Sequence, residues 1–333
     1  MIVLTGASGF IAKHILLQLL GTGHRVRATI RSPARGDEVR AAVLPHLDSE
    51  AGQRLEFATL DLNRDAGWGE ALAGATALVH TASPFPIAQP KNPDEVIRPA
   101  VDGTLRALGA ARDAGVHRVV LTSSMIAVIN EAKGFPQDEN DWANPDLPTS
   151  TAYGRSKTLA ERAAWDFVAR TPEMQLTTIN PGFVMGPLLD STYGSSVAFV
   201  KRILDGKDPM LPNWALPLVD VRDVALMHLR ALERPETAGR RYLAVEEPVA
   251  LFEMGRILKT VYPTRRMPTR AAPGLLVRML AMFDPEIRVT LPKIGKVERL
   301  SNARARSEMG MNFIPAAEAL KATAASLIDR KLA

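Results

Sequence analysis

Ile2-Val3-Leu4 runs directly into Thr5-Gly6-Ala7-Ser8-Gly9-Phe10-Ile11-Ala12, and a helical pattern (Ile15, Leu16, Leu19, Leu20) follows before Gly21 and Gly23 close it. A short apolar strand, a glycine turn and a helix, in that order, constrain the fold more than any other feature of the chain. Gly6 permits a tight turn, Gly9 lets the backbone approach a pyrophosphate, and Ala12 keeps helix and strand close. The helix N-terminus then offers N–H groups to an anion. An ordinary strand-to-helix turn is the plain alternative; the placement after a strand and at the opening of a helix favours a dinucleotide site.

The alternation continues. His24–Ile30, Leu55–Leu60, Ala77–His80, Arg118–Thr122 and Leu176–Ile179 read as strands, and Val101–Ala111 and Tyr153–Arg170 as helices. Strands alternating with helices predict an α/β fold with a doubly wound, Rossmann-type parallel sheet. After Pro181 the alternation weakens, with helical stretches at Ser195–Leu204 and Leu251–Val261 between proline-punctuated segments. The expected organisation is a cofactor domain over residues 1–181, completed by about 218–246, with 182–333 mainly a smaller, irregular substrate domain.

The chain has 333 residues, 46% of them hydrophobic and 23% charged, ample for a large core. Its net charge is +5, but aromatics are only 5% and basic residues are scattered, so no nucleic-acid partner is expected. The absence of cysteine excludes disulfides, thiolate metal sites and cysteine nucleophiles. His14, His24, His46, His80, His117 and His228 lack ligand spacing, so no metal is expected. Ala271–Phe283 is apolar but short and contains Arg278, which predicts a packed helix and no membrane partner. The first residues read as a buried strand without a charged leader, so a cytoplasmic location is expected.

Candidate functional residues cluster where strands end. The second strand ends at Arg31, where an acidic partner for a ribose 2′-hydroxyl would otherwise stand. Arg31, with Arg35 nearby, suits a 2′-phosphate, so NADP(H) is favoured over NAD(H). Asp61-Leu62 follows the third strand, where a carboxylate can accept from an adenine amino group or simply cap a turn. The fifth strand ends in Thr122-Ser123-Ser124, near any ligand beyond the carboxyl ends of the sheet. Tyr153 and Lys157 then stand one helical turn apart on one face, where a lysine favours the phenolate of a nearby tyrosine.

The Gly6 loop, Ser124 and the Tyr153–Lys157 pair together resemble the extended short-chain dehydrogenase/reductase superfamily, over nearly the whole chain. The dihydroflavonol-reductase-like branch, with plant flavonoid reductases and microbial aldehyde and ketone reductases, is the most similar. Val26-Arg27-Ala28-Thr29-Ile30-Arg31, Asn92-Pro93 through Gly103-Thr104, Asp141-Trp142, Ser156-Lys157-Thr158 and Val219-Asp220-Val221-Arg222-Asp223-Val224-Ala225 carry that similarity. The resemblance implies that Tyr153 is the general acid for a carbonyl oxygen. It implies that Lys157 lowers the phenol pKa and holds the nicotinamide ribose, and that Ser124 bonds the same oxygen, with Ser123 as runner-up. It also implies cofactor contacts at Gly6, Ser8, Gly9, Phe10, Ile11, Thr81, Ala82, Ser83, Pro181, Phe183 and Ser196.

Pro84, Phe85, Met125, Ile126, Ile129, Phe183 and Tyr193 are the expected substrate walls, mostly apolar. Plant flavonoid reductases carry Asn or Asp five residues after the catalytic serine; here that position is Ile129, with Asn130 one later. The expected substrate is therefore an apolar or aromatic aldehyde or ketone, a small molecule reduced with NADPH. Three alternatives stay open: a nucleotide-sugar epimerase or dehydratase holding NAD, a 3β-hydroxysteroid dehydrogenase, and a redox sensor that binds NADP(H) without turnover. Related enzymes pair through the helices corresponding to Gly103–Ala114 and Tyr153–Arg170, so monomer and homodimer are both open.

Overall fold

The computed structural model describes residues 1–83 and 92–333. Its strands are β1 (Ile2–Thr5), β2 (Val26–Ile30), β3 (Leu55–Thr59), β4 (Ala77–His80), β5 (Arg118–Thr122), β6 (Gln175–Pro181), β7 (Phe183–Met185), β8 (Ala215–Asp220), β9 (Arg240–Ala244) and β10 (Pro248–Ala250). The helices of the first half are α1 (Phe10–Gly21), α2 (Pro33–Val43), α3 (Trp68–Leu72), α4 (Asp94–Asp113) and α5 (Ala152–Ala169). Then come α6 (Ser195–Leu204), α7 (Val221–Glu233), α8 (Leu251–Val261), α9 (Gly274–Leu280), α10 (Pro285–Thr290), α11 (Ala303–Glu308) and α12 (Ala316–Asp329).

Seven strands form a parallel sheet in the order β3-β2-β1-β4-β5-β6-β9. Helices cover both faces, so its central strands are buried on both sides and read as continuous apolar runs. The chain winds outward from β1 to β3, then crosses back to β4 and winds the other way. That reversal opens a crevice between the carboxyl ends of β1 and β4, where an open sheet of this kind binds its ligand. Helix α7 packs against α1, burying Val224, Ala225 and Met227 with Leu16 and Leu19.

A smaller sheet, β10-β8-β7, lies beside the large one, with β8 parallel to β7 and antiparallel to β10. Helix α12 packs against α6 and α8 over it, around Val200, Ile203, Leu216, Met254, Leu258 and Leu320.

Two elements depart from the sequence expectation. Helix α4 begins at Asp94, not Val101, and carries Pro99 inside it. Asp94 and Glu95 in its first turn favour the positive end of the helix dipole, which recovers part of what the missing donor of Pro99 costs. The expected packed helix over Ala271–Phe283 is the short α9 instead, and it packs poorly, as does the turn after it: Leu275 in the helix is 72% exposed and Phe283 beyond it 84%. Its apolar residues surround every face, so Val277 and Ala281, one turn apart, reach the interior while the others stay outside.

Candidate active site

The crevice at the reversal of strand order is one cavity of about 1160 Å³. Gly6, at φ +69, turns the chain after β1, and a side chain there would crowd the Ala82 backbone after β4. Gly9 caps α1 without a side-chain bond, which leaves the first N–H groups of the helix for a ligand. Ser8, Phe10 and Ile11 line the same wall, and Thr81, Ala82 and Ser83 face them. Thr5 fixes that second loop, its Oγ1 accepting from the Thr81 and Ala82 N–H groups at 3.1 and 3.2 Å.

At the far end of this wall stand Arg31, Asp61 and Leu62. Arg31 is exposed, and no hydrogen bond or ion pair involves it among the described residues. Asp61 accepts from the Asn63 N–H at 2.9 Å, so it also shapes its own turn.

Ser124, Tyr153 and Lys157 meet on the opposite part of the cavity. Thr151 caps α5 by accepting from the Gly154 N–H at 3.0 Å, which sets Tyr153 in the first turn. Ser124 follows β5 and accepts from the Ile126 N–H at 3.3 Å, and its side chain also hydrogen-bonds the Tyr153 phenol. Ser123 also borders the cavity, but its hydroxyl donates to Glu161 Oε2 at 2.5 Å. The two serines therefore divide: Ser124 bonds the phenol, and Ser123 bonds the interior.

The electrostatics differ from the sequence expectation. Burial pushes the Tyr153 phenol up to about 12, and the hydrogen bond with Ser124 offsets only part of this. Burial likewise pulls Lys157 down to about 8, opposed by the charge of Glu161. Lysine does not bring this phenol toward neutrality, because both groups are buried and each charged form is desolvated. Tyr153 thus rests as a neutral O–H, the form a proton donor needs.

Met125, Ile126, Phe183, Tyr193 and Ser196 also border the cavity. Ser196 donates to the Val184 carbonyl at 2.5 Å, and Phe183 meets Phe199 edge-on at 6.1 Å between ring centres.

Three expected residues lie elsewhere. Arg35 pairs with Glu38 one turn along α2, at 2.6 Å, and does not reach the cavity. Pro181 is taken up in β6, where it pairs with Ala244, and Gly182 borders the cavity in its place. Ile129 faces a separate cavity of about 220 Å³ with Phe135, Lys293 and Glu298, because a 3-10 turn at Met125–Ala127 redirects the chain after Ser124. Pro84 and Phe85 fall outside the described residues. No group of three or more His, Asp or Glu that could hold a metal occurs among the described residues. No helix there is long and apolar enough to cross a membrane.

Residues 2–244 match the NAD dependent epimerase/dehydratase family. The chain belongs to that family. Cinnamoyl-CoA reductase 1 of Petunia hybrida is 34% identical over 99% of this chain and 92% of the relative. Tetraketide alpha-pyrone reductase 2 of Arabidopsis thaliana is 34% identical over 78% of this chain and 82% of the relative. Yeast methylglyoxal/isovaleraldehyde reductase Gre2, solved with NADPH, superposes with a TM-score of 0.82 at 26% identity, covering 99% of this chain and 98% of the other. The resemblance to the dihydroflavonol-reductase-like branch of extended short-chain dehydrogenases/reductases therefore holds, and this family member is an oxidoreductase.

Several walls of this epimerase/dehydratase-family site were not expected from sequence. Trp68, Glu95, Val96, Pro99, Thr192 and Gly194 border the cavity. They arrive from the starts of helices and from the loop before α6, and no strand-end signal marks them. Glu161 was missed as well, although a carboxylate one turn beyond Lys157 on a mostly buried helix face is a readable signal.

Proposed function

We propose that the chain is an NADPH-dependent reductase that converts an apolar or aromatic aldehyde or ketone to the alcohol, with the proton drawn from Tyr153. The observation that carries this reading is the Ser124–Tyr153 hydrogen bond at the wall of a cavity that Lys157 also lines. The residues fit the cofactor: a glycine turn admits close backbone approach, the α1 N-terminus is uncapped, and Arg31 has no partner among the described residues. Gly6, Gly9 and the α1 N–H groups would hold the pyrophosphate, and Arg31 the 2′-phosphate. When bound, the nicotinamide supplies the hydride.

The protein's share is proton delivery and charge stabilisation. As hydride adds to the carbonyl carbon, the C=O π pair moves onto oxygen, and Tyr153 gives that oxygen its proton. An alkoxide is a far stronger base than a phenolate, so a phenol near 12 still donates downhill. Ser124 holds the same oxygen in place, and the Lys157 ammonium stabilises the phenolate left behind.

Met125, Ile126, Phe183 and Tyr193 give the substrate end an uncharged lining. Arg31 and Lys157 are the cations among the described wall residues, and both are assigned to cofactor and catalysis. That favours a neutral carbonyl compound. A coenzyme A thioester is the second reading, favoured by the 34% identity to petunia cinnamoyl-CoA reductase 1. Purified protein with NADPH, aromatic and aliphatic aldehydes and ketones, and cinnamoyl-CoA separates these readings. Oxidation of NADPH with the free carbonyls supports the first, oxidation with the thioester alone supports the second, and none with any member removes both. Tyr153→Phe should lower turnover at least about 100-fold while NADPH binding by fluorescence persists.

A further inference from the structure

Successive i+4 steps along α5 place Tyr153, Lys157, Glu161 and Trp165 in one stripe. The first two belong to the site proposed above. Glu161 lies one turn deeper, at 1% exposure. A buried carboxylate is costly unless donors satisfy it, and Glu161 is met by five. Oε2 accepts from the Ser123 hydroxyl at 2.5 Å and Asn180 Nδ2 at 2.7 Å. Oε1 accepts from Thr178 Oγ1 at 3.1 Å, Trp165 Nε1 at 3.3 Å and Arg241 Nε at 2.7 Å.

These donors reach the site directly. Ser123 immediately precedes Ser124, and Asn180 Nδ2 also donates to the Ser124 carbonyl at 3.1 Å. Arg241 comes from β9 and stacks on Trp142, 3.7 Å from its ring centre, while Nη1 donates to the Glu139 and Asp141 carbonyls at 2.8 Å. One carboxylate thus joins α5 to the ends of β5, β6 and β9.

We propose that Glu161 is a positioning residue for the reduction, its carboxylate fixing Ser124 through Ser123 and Asn180 and setting a negative charge one turn from Lys157. The inference rests on the reading of Tyr153 and Lys157 given above. Its electrostatic half follows from what faces Lys157. His80, on β4, is buried and held neutral, pushed down to about 3 by burial and then by the lysine charge. Tyr153 is a neutral phenol. Arg241 is bonded to Glu161 itself. Helix α4 buries Ala100, Gly103, Thr104 and Ala107, none of them titratable. Glu161 is the group that opposes the loss of the Lys157 proton.

The test is the alkaline limb of the kcat/KM profile with NADPH and a carbonyl that the wild type reduces. Lys157 acts as a cation, so activity falls as pH rises through its pKa. Removing the Glu161 charge lowers that pKa, and the limb moves toward acid by roughly one pH unit. Glu161→Gln alone leaves Arg241 buried and unpaired; Glu161→Gln with Arg241→Gln removes both buried charges together. The expected result is a folded double variant whose limb is displaced to lower pH and whose kcat at neutral pH is down about tenfold. A folded double variant with the wild-type limb overturns the proposal. So does a double variant that is unfolded at the assay temperature, since that assigns the pair to the fold. Tyr153→Phe in the same series keeps two failures apart. If it retains turnover, the reading of the site falls; if it loses turnover while the double variant keeps the wild-type limb, only the role of Glu161 falls.

Discussion

The seven-stranded sheet and the segment around α9 are built by opposite rules. In the sheet, β1 and β4 are buried along their whole length, and the polar residues of β6 are satisfied: Thr177 by the Thr237 carbonyl at 2.8 Å, Thr178 and Asn180 by Glu161. Around α9, Leu275, Met282 and Phe283 point outward, and a seven-residue helix reaches the interior through Val277 and the following Ala281. The difference is one of packing. Positioning a proton donor requires groups held to a fraction of an ångström, which close-packed strands and a capped helix supply. Sparsely packed segments open at lower cost, and elements that admit and release ligands are drawn from that end of the stability range.

The strongest way to break this comparison is to excavate the sheet. Ile179 lies in β6 at 0% exposure, between Thr122 of β5 and Tyr242 of β9. Ile179→Ala should cost about 4 kcal/mol in denaturant unfolding, the lost transfer energy plus a cavity that a rigid sheet cannot collapse. A loss below about 1 kcal/mol would show that the sheet relaxes as easily as a loose segment, and the contrast would vanish.

The cofactor end of the sheet tests a smaller effect. Arg31 stands at the end of β2, exposed and on the cavity wall. Arg31→Glu replaces charge-assisted bonds to a 2′-phosphate by repulsion, and should raise KM for NADPH about 30-fold, or roughly 2 kcal/mol. KM for NADH should fall, because the new carboxylate can accept from the 2′-hydroxyl that cofactor carries there. Equal changes for both cofactors would remove Arg31 from the specificity assignment and leave it a surface residue.

How much of this was legible follows the same division. Each strand of the first half was readable to within two residues because its signal is local: a short run rich in apolar residues with a turn signal at its end. That Gly6, Gly9, Ser124, Tyr153 and Lys157 border one cavity was readable because each is set by position at a strand end or by one helical turn. Arg35, Pro181 and Ile129 lie off the cavity wall for reasons that need the three-dimensional neighbours of each. Arg35 found Glu38 on its own helix, Pro181 stayed in the β6 ladder, and the turn after Ser124 sent Ile129 to another cavity. The phenol shows the same division: spacing reveals the lysine, but only burial reveals how costly a phenolate is there. Helix α9 was overrated because composition records how apolar a segment is, and not how much of it finds a partner.

The smallest expected effect tests that last point. Phe283 is 84% exposed, so replacing it removes little buried area and leaves no cavity. Phe283→Ser should therefore change unfolding free energy by less than about 0.5 kcal/mol, as for other surface positions. Its effect on KM for a carbonyl substrate should be equally slight, since Phe283 is not on the cavity wall. A cost above about 1 kcal/mol would mean that the side chain is covered in solution, and a KM change without a stability change would mean that the segment after α9 meets the substrate. Either outcome would move α9 from the loose side of the comparison to the built side, which is why a near-silent substitution is the sharpest probe of this segment.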